Sequence, residues 1–257
     1  MKKIAIISDI HGNLCAFDNV LDDIAKRNVD AIYCLGDVVG YGPNPVECFY
    51  KAMKHCEVII KGNHEEGVIE GPFGVTRAAK NAMLWTRKLM RPGIFDGLSR
   101  KKRIWDYLRN LPISHTIDRL LFIHGCPHDP MEYLQKQDTE DVFGEIPQKI
   151  QQAFAMVEHI CFIGHTHVPG IITDKSEWFY PENFDYKWDI HPQQKIICNV
   201  GSVGQPRDRD NRSSYVTFDG ETIEYHRIPY DFTTTQQQIL TVPELDNYLA
   251  ERLEYGR

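Results

Sequence analysis

The sequence predicts an α/β fold, and three observations carry that prediction. Short apolar runs rich in β-branched residues recur along the chain, and an amphipathic stretch separates the first two. Near the end, the strand-like runs SYVTF and TIEYHRI flank an Asp219-Gly220 turn. Runs that are apolar on both faces suit buried strands, although periodicity alone does not distinguish them from buried helical segments.

Taken in order, Ile4 to Ile7 is the first run. In LCAFDNVLDDIAKR, the residues Leu14, Phe17, Leu21, Ile24 and Ala25 then follow helical spacing behind Asn13, a suitable N-cap. Ala31 to Leu35 is the second run. Pro45 suits the first turn of a helix over VECFYKAMKHC, and Val58 to Ile60 is the third run. This β-α-β-α-β opening points to an α/β sheet. Residues from about 75 to 110 read as a helical insertion rich in Lys and Arg, with Ser99 capping its second half. Leu120 to Ile123, Ile160 to Ile163 and Ile196 to Cys198 are further runs, and a helix over 147 to 158 begins at Pro147. The aromatic stretch SEWFYPENFDYKWDIHP, 176 to 192, reads as a hairpin insertion near 171–194. Its rings are expected to cover a sheet of the same chain, ahead of facing substrate or a partner. PELDNYLAERLEY closes the chain as a helix. With no Gly/Ser-rich or Pro-rich linker and no internal repeat, a single domain over 1–257 is expected.

Composition excludes several classes. A chain with 42% hydrophobic and 25% charged residues is ordinary for a globular protein, which argues against disorder and a fibrous class. A net charge of -7 argues against nucleic acid as a partner. The densest basic run, Arg100 to Arg103, reads as an exposed helix face. The apolar run in MKKIAIISD is too short for a signal peptide, and no stretch approaches a membrane span. The 7 cysteines include no C-x-x-C pair, and Cys34, Cys161 and Cys198 sit inside apolar runs. They read as reduced thiols, so a cytoplasmic location is expected.

The informative pattern lies in the residues just after each apolar run. The runs end in Ser8-Asp9-Ile10-His11, Gly36-Asp37, Gly62-Asn63-His64, His124-Gly125 and Gly164-His165-Thr166-His167. Open α/β sheets bind ligands at the carboxyl ends of their strands, so these ends deliver Asp, Asn and His to one edge. Independent caps and turn residues are a poor account of so regular a series. A donor set of oxygen and imidazole without thiolate suits Mn, Fe, Zn, Co or Ni better than Ca or Mg, and it is not a closed structural zinc site. The donors are too many for one tetrahedral ion, whereas two ions sharing a carboxylate would use them all. On an extended segment His165 and His167 would point to the same side, so by spacing alone they could share one ligand.

In order, D-x-H (Asp9 to His11), GDVVGYG (36 to 42), GNHE (62 to 65), HG (124 to 125) and GHTH (164 to 167) resemble the motif series of the calcineurin-like metallophosphoesterase superfamily. GYGPNP, HGCPHDPMEYL and NVGSVGQPRDRD resemble its bacterial and archaeal metallophosphatase branch, which includes YfcE-like and diadenosine tetraphosphatase-like proteins. The resemblance implies a four-layer α/β/β/α sandwich of two mixed β-sheets flanked by helices. It implies that Asp9, His11 and His167 hold a first metal, with Asp37 bridging to a second completed by Asn63, His124 and His165. On this reading His165 and His167 serve different ions. His64 would sit beside the substrate and protonate the leaving oxygen. The implied activity is hydrolysis of phosphate esters by in-line attack of a hydroxide bridging two divalent metals, Mn2+ being expected. Small or nucleotide-type phosphorylated molecules are the expected substrates, as diesters, monoesters or dinucleotide polyphosphates.

In the protein phosphatase branch an Asp and an Arg stand where this chain has Gly40 and Tyr41, which weakens a phosphoprotein phosphatase reading. Glu65 reads either as a group that orients His64 or as an exposed loop acid. Arg207 is a candidate substrate-binding residue beside Asn63, the alternative being a surface pair with Asp208 or Asp210. His55, His115, His159, His191 and His226 lie outside the constellation, and His128 falls near the pocket entrance. A non-enzymatic interaction module on the same fold is the other class, and the filled His64 position speaks against it. A homodimer is left open.

Overall fold

A computed structural model of the chain describes residues 2–93, 96–97, 99–141 and 144–257; residues 94, 95 and 98 of the expected helical stretch lie outside it. The elements run β1 (Ile4–Ile7), α1 (Leu14–Ile24), β2 (Ala31–Cys34), α2 (Pro45–His55), β3 (Val58–Ile59), α3 (Asn63–Glu70), α4 (Arg77–Met90), α5 (Arg100–Arg109), β4 (Ser114–Ile117), β5 (Leu120–Ile123), α6 (Gln148–Ala155), β6 (Ile160–Ile163), β7 (Gly170–Thr173), β8 (Trp178–Phe179), β9 (Lys187–Asp189), β10 (Ile196–Asn199), β11 (Ser213–Phe218), β12 (Thr222–Ile228), α7 (Phe232–Leu240) and α8 (Tyr248–Tyr255). The strands form two 6-stranded sheets, ordered β3-β2-β1-β11-β12-β9 and β4-β5-β6-β10-β7-β8. Each sheet is mixed: β1, β2 and β3 run parallel while β11 runs antiparallel to β1, and β5, β6 and β10 run parallel while β7 runs antiparallel to β10.

Side-chain alternation builds the layers. Ile4 and Ile6 of β1 face Leu120, Phe122, Ile160, Phe162, Ile196 and Cys198 of the second sheet across a shared core. Their neighbours Ala5 and Ile7 turn the other way, onto a core shared with α1, α2, α4 and α5. Likewise Ile123, Cys161, Ile163 and Ile197 turn onto α6 through Ile150, Ala153 and Phe154. Strands buried on both faces explain why the runs are continuously apolar. The result is the four-layer α/β/β/α sandwich.

The expected helices form largely where their caps stand. Asn13 accepts from the Ala16 N–H at 3.2 Å, and Ser99 accepts from the Lys102 N–H at 3.2 Å. The last helix starts at Tyr248, five residues after Pro243, and α6 ends at Ala155. Helix α7, FTTTQQQIL, is not foreseen from sequence, because it lacks apolar periodicity; the Asp231 cap, accepting from the Thr234 N–H, and the burial of Thr235 and Ile239 hold it. Between β7 and β9 the aromatic segment passes from one sheet to the other, β8 pairing with β7 and β9 with β12. Phe184, Tyr186 and Trp188 pack against the core between the sheets. Among the described residues no helix is long and apolar enough to cross a membrane.

Candidate metal centre

The turns that leave β1, β2 and β6 are bent in an unusual way. Asp9, His11, Asp37, His165 and His167 all have φ between 49° and 66°, the left-handed region that L-residues with bulky side chains avoid. Such backbone strain is kept where surrounding structure enforces it, and here it turns side chains inward. Loop-to-loop bonds hold these turns: His11 N–H donates to Asp37 O at 2.9 Å, and Gly204 N–H donates to Asp9 O at 2.9 Å. His165 and His167 therefore do not lie on an extended segment, and their spacing of two does not send both rings to one side. Asn63 and His64 do not end a strand either. They form the first turn of α3, one residue beyond Gly62.

Each carboxylate is pinned by one oxygen and offers the other. Asp9 Oδ2 accepts from the His165 N–H at 3.0 Å, and Asp37 Oδ1 accepts from the His64 N–H at 2.8 Å. Asp9 Oδ1, fully buried and without a hydrogen-bond partner, lies 3.2 Å from His167 Nε2 and 3.7 Å from His11 Nε2. Asp37 Oδ2 lies 3.6 Å from His11 Nε2 and 3.3 Å from His124 Nε2. Burial opposes ionisation of both, yet the surrounding imidazoles hold them below the usual carboxylate range.

The rings follow the same plan. Nδ1 of His11, His124 and His167 faces the backbone carbonyls of Val39, Leu35 and Gln205 at 3.2, 2.8 and 2.5 Å. A carbonyl only accepts, so those nitrogens carry protons and the Nε2 atoms are left facing the centre. His165 is reversed, with Nε2 donating to Met131 O at 3.2 Å. Burial, then the charge of Arg207, lowers His167 to about 3, and burial, then His124, lowers His165 to about 4, so both rings are neutral. Burial also works against a charged His124, but Asp37 outweighs it and raises the ring to about 9. Positive charge is thus favoured at His124 Nε2, as a proton or as a cation.

These donors fit metal ions. Asp9, His11 and His167 converge in one group and Asp37, His124 and His165 in another, ligand atoms within 4.8 Å of one another in each. His11, Asp37 and His64 form a third such group, so Asp37 belongs to more than one. Asn63 Oδ1 stands 3.2 Å from His124 Nε2, so both atoms face the same point. Lone pairs and carboxylate oxygens pointed at one another in a dry interior are compensated by cations, and the oxygen-imidazole set suits the divalent transition metals.

His64 stands apart from the carbonyl-anchored rings. It is 2% exposed, and its ring centroid lies 4.3 Å from that of Tyr41 and 4.6 Å from that of His11. A Cβ at Gly40 would overlap its Nδ1, which has no partner, so Nε2 lies on the far side of the ring from Gly40. Glu65 is neither an orienter of His64 nor an exposed loop acid. Fully buried, it accepts from the N–H groups of Asp37, Val39 and Gly62 at 2.7, 3.2 and 2.9 Å, and so braces the loop carrying Asp37. Burial, then Asp37, pushes its carboxyl up to about 7. The sequence did not assign this bracing role, because the three donors are brought together only by the fold. Arg207 pairs with neither Asp208 nor Asp210: it donates to Gln205 Oε1 at 2.8 Å and sits over the Tyr41 ring, Cζ 5.8 Å from the centroid. Asp208 and Asp210 pair with Arg227 and Arg212 instead. Beside the centre opens a cleft of about 410 Å³ lined by Tyr41, Asn63, His64, Met131, Tyr133 and His165 among others. Tyr133 stacks on His165 at 4.0 Å. His128 bonds Cys126 and Glu132 and does not line the cleft.

Comparison with known proteins agrees with the layered fold. An uncharacterized protein of Methanocaldococcus jannaschii is 34% identical over 266 residues, spanning 100% of this chain and 99% of that protein. The crystal structure of a metallophosphoesterase from Sphaerobacter thermophilus is 31% identical, covers 100% of this chain and 99% of its own, and superposes with a TM-score of 0.81. A hypothetical protein from Pyrococcus horikoshii, 15% identical over 100% of this chain and 99% of its own, shares the fold with a TM-score of 0.72. Residues 1–222, which include every group brought together at the strand ends, match the calcineurin-like phosphoesterase superfamily domain, and the chain belongs to that superfamily.

Proposed function

We propose that the protein is a dinuclear metal-dependent phosphoesterase acting on phosphate esters of small or nucleotide-type molecules. The observation that carries this reading is the inward aim of the buried donors, with every anchored ring's other nitrogen committed to a backbone carbonyl. Asp9, His11 and His167 would hold one ion, Asn63, His124 and His165 the other, and Asp37 both. Mn2+ is the expected ion, with Fe, Zn, Co or Ni as substitutes. When bound, two such ions supply Lewis-acid charge for the phosphoryl oxygens and hydroxide for in-line attack near neutral pH.

The chain's own groups do the rest. Arg207, over the Tyr41 ring, would donate to a phosphoryl oxygen, and Asn63 lines the cleft. His64 presents its Nε2 edge away from Gly40 and gives a proton to the leaving oxygen. Tyr41 and Tyr133 wall the cleft and limit water around the reacting group. Gly40 and Tyr41, standing where the protein phosphatase branch has an Asp and an Arg, favour small phosphoesters over phosphoproteins. All 7 cysteines are free, in keeping with one domain working in the reducing cytoplasm.

The test is hydrolysis of bis(4-nitrophenyl) phosphate. Activity should vanish on chelation and return with Mn2+; hydrolysis that survives complete metal removal overturns the reading.

A further inference from the structure

Residues 71–76 join α3 to α4, and among them Phe73 is 97% exposed, more than any other large apolar side chain of the described residues. The frame behind this loop is tight, since a Cβ at Gly67 of α3 would overlap Met83 Sδ of α4. Both ends of the loop are pinned: Gly71 N–H donates to Gly67 O at 3.1 Å, and Thr76 Oγ1 accepts from the Ala79 N–H at 3.3 Å. Between them, no hydrogen bond among the described residues holds Pro72, Phe73, Gly74 or Val75. Gly71 and Gly74 have φ of +112° and +67°, and a Cβ at either would meet nothing within 4 Å. These glycines therefore serve the course of the backbone that carries Phe73 outward, and no close contact requires them.

The exposed ring lines the cleft that also holds Asn63, His64 and His165. Val75, Met131 and Tyr133 line it too and are 37%, 38% and 41% exposed, so apolar side chains gather at its mouth. The other aromatic side chains of the cleft are engaged: Tyr133 stacks on His165 at 4.0 Å, and Tyr41 lies 4.3 Å from His64. Among the described residues no lysine or arginine lines the cleft, and its carboxylate, Glu66, stands 3.2 Å from Lys61 Nζ. Such a wall suits an uncharged group, and a free ring beside a tyrosine and a thioether suits a flat one. The order along α3 says which part of a substrate meets it. His64 stands in the first turn, and Phe73 comes three residues after Glu70, the last residue of this 8-residue helix, about 12 Å long. A leaving group that takes its proton from His64 and points to the mouth runs along this wall.

We propose that Phe73 is a substrate-binding residue that stacks on a flat aromatic ring in the leaving group, and that this protein prefers esters whose leaving group is aromatic and uncharged. The phosphoryl group stays with the buried donors. The ring of the leaving group lies between Phe73 and the Met131–Tyr133 side of the cleft. Burying Phe73 against it removes apolar surface of both from water, which an aliphatic or charged leaving group does less well. This inference rests on the phosphoesterase reading above.

Two measurements on Phe73→Ala and Phe73→Trp test it; the side chain is exposed, so neither change disturbs the packed core. The first is calorimetric binding of benzylphosphonate, cyclohexylmethylphosphonate and methylphosphonate to the Mn2+-loaded protein. Wild type and Phe73→Trp should bind the benzyl compound about tenfold more tightly than the other two, and Phe73→Ala should lose that preference. The second is hydrolysis of bis(4-nitrophenyl) phosphate, for which kcat/KM should fall about tenfold in Phe73→Ala, chiefly through KM, and recover in Phe73→Trp. No preference for the benzyl compound in the wild type, or a preference that survives in Phe73→Ala, overturns the stacking role. If the wild type hydrolyses no ester, the phosphoesterase reading fails and the binding measurement alone decides the role of Phe73.

Discussion

The Nε2 atoms of His11 and His167 stand 3.1 Å apart in a buried pocket, while the Nδ1 atoms of both rings face the carbonyls of Val39 and Gln205. Two imidazole nitrogens this close are held by a proton between them or by a shared metal cation, and the Asp9 carboxylate beside them favours the cation. Metal binding is therefore linked to folding stability. Mn2+ at a hundredfold excess over its Kd should stabilise the fold by about 2.7 kcal/mol, which for a chain of this size raises Tm by roughly 5 to 10 °C. Thermal unfolding with chelator and with Mn2+ measures this, and coincident midpoints would show that the pocket does not bind the ion.

His64 lacks the carbonyl anchor of the other rings, which separates its role from theirs. His64→Ala should keep its metal content by elemental analysis and lose about 10²- to 10⁴-fold in kcat on an ester with an alkoxide leaving group. Loss of metal would make His64 a ligand. Unchanged turnover would remove it as the proton donor.

Gly40 sets where that ring lies. Its φ is +89°, and any Cβ there meets His64 Nδ1, so Gly40→Ala must either move the ring or strain the loop. Activity should fall as far as in His64→Ala while metal content is kept, at a stability cost of about 1–3 kcal/mol. Full activity in Gly40→Ala would mean that the ring position is not what limits turnover.

Much of this was legible because chemistry sits at the ends of apolar runs. Asp9, Asp37, His124 and His167 each follow or close such a run, and buried strands show as runs whatever their sheet. The order of the motifs then pointed to the layered fold. What was hidden depends on partners distant in sequence. Glu65 finds its three donors only when the turn after β2 folds against α3. The left-handed backbone of His165 and His167 comes from bonds to other loops, so spacing misread the segment as extended. Helix α7 escaped notice because a polar TTTQQQ stretch is held by a cap and two buried residues, with no periodic face to reveal it.

Glu65 offers a stability test of the loop it braces. Glu65→Gln replaces one acceptor oxygen with a donor facing backbone N–H groups, leaving at least one of them unsatisfied in the interior. The expected loss is about 1–3 kcal/mol in urea unfolding, together with weaker metal binding as Asp37 loosens. A variant with wild-type stability and metal affinity would show that the loop stands without this brace.

His226 provides a pH test remote from the metal centre. It is 5% exposed, its Nε2 lies 2.9 Å from Thr217 Oγ1, and burial, then the charge of Arg27, lowers it to about 4. Unfolded, the ring titrates near its ordinary value of about 6.5. Between these values the unfolded chain takes up a proton that the folded chain refuses, so folding stability falls as pH drops. The stabilisation is complete above pH ~6.5, declines from there to pH ~4, and loses about 1–3 kcal/mol in all. His226→Gln keeps a polar partner for Thr217 and removes the titration. The stability difference between wild type and this variant should therefore shrink across that window in chemical unfolding at fixed metal concentration. A difference that stays constant from pH 7 to 4 would show that His226 takes up its proton equally well in the folded chain.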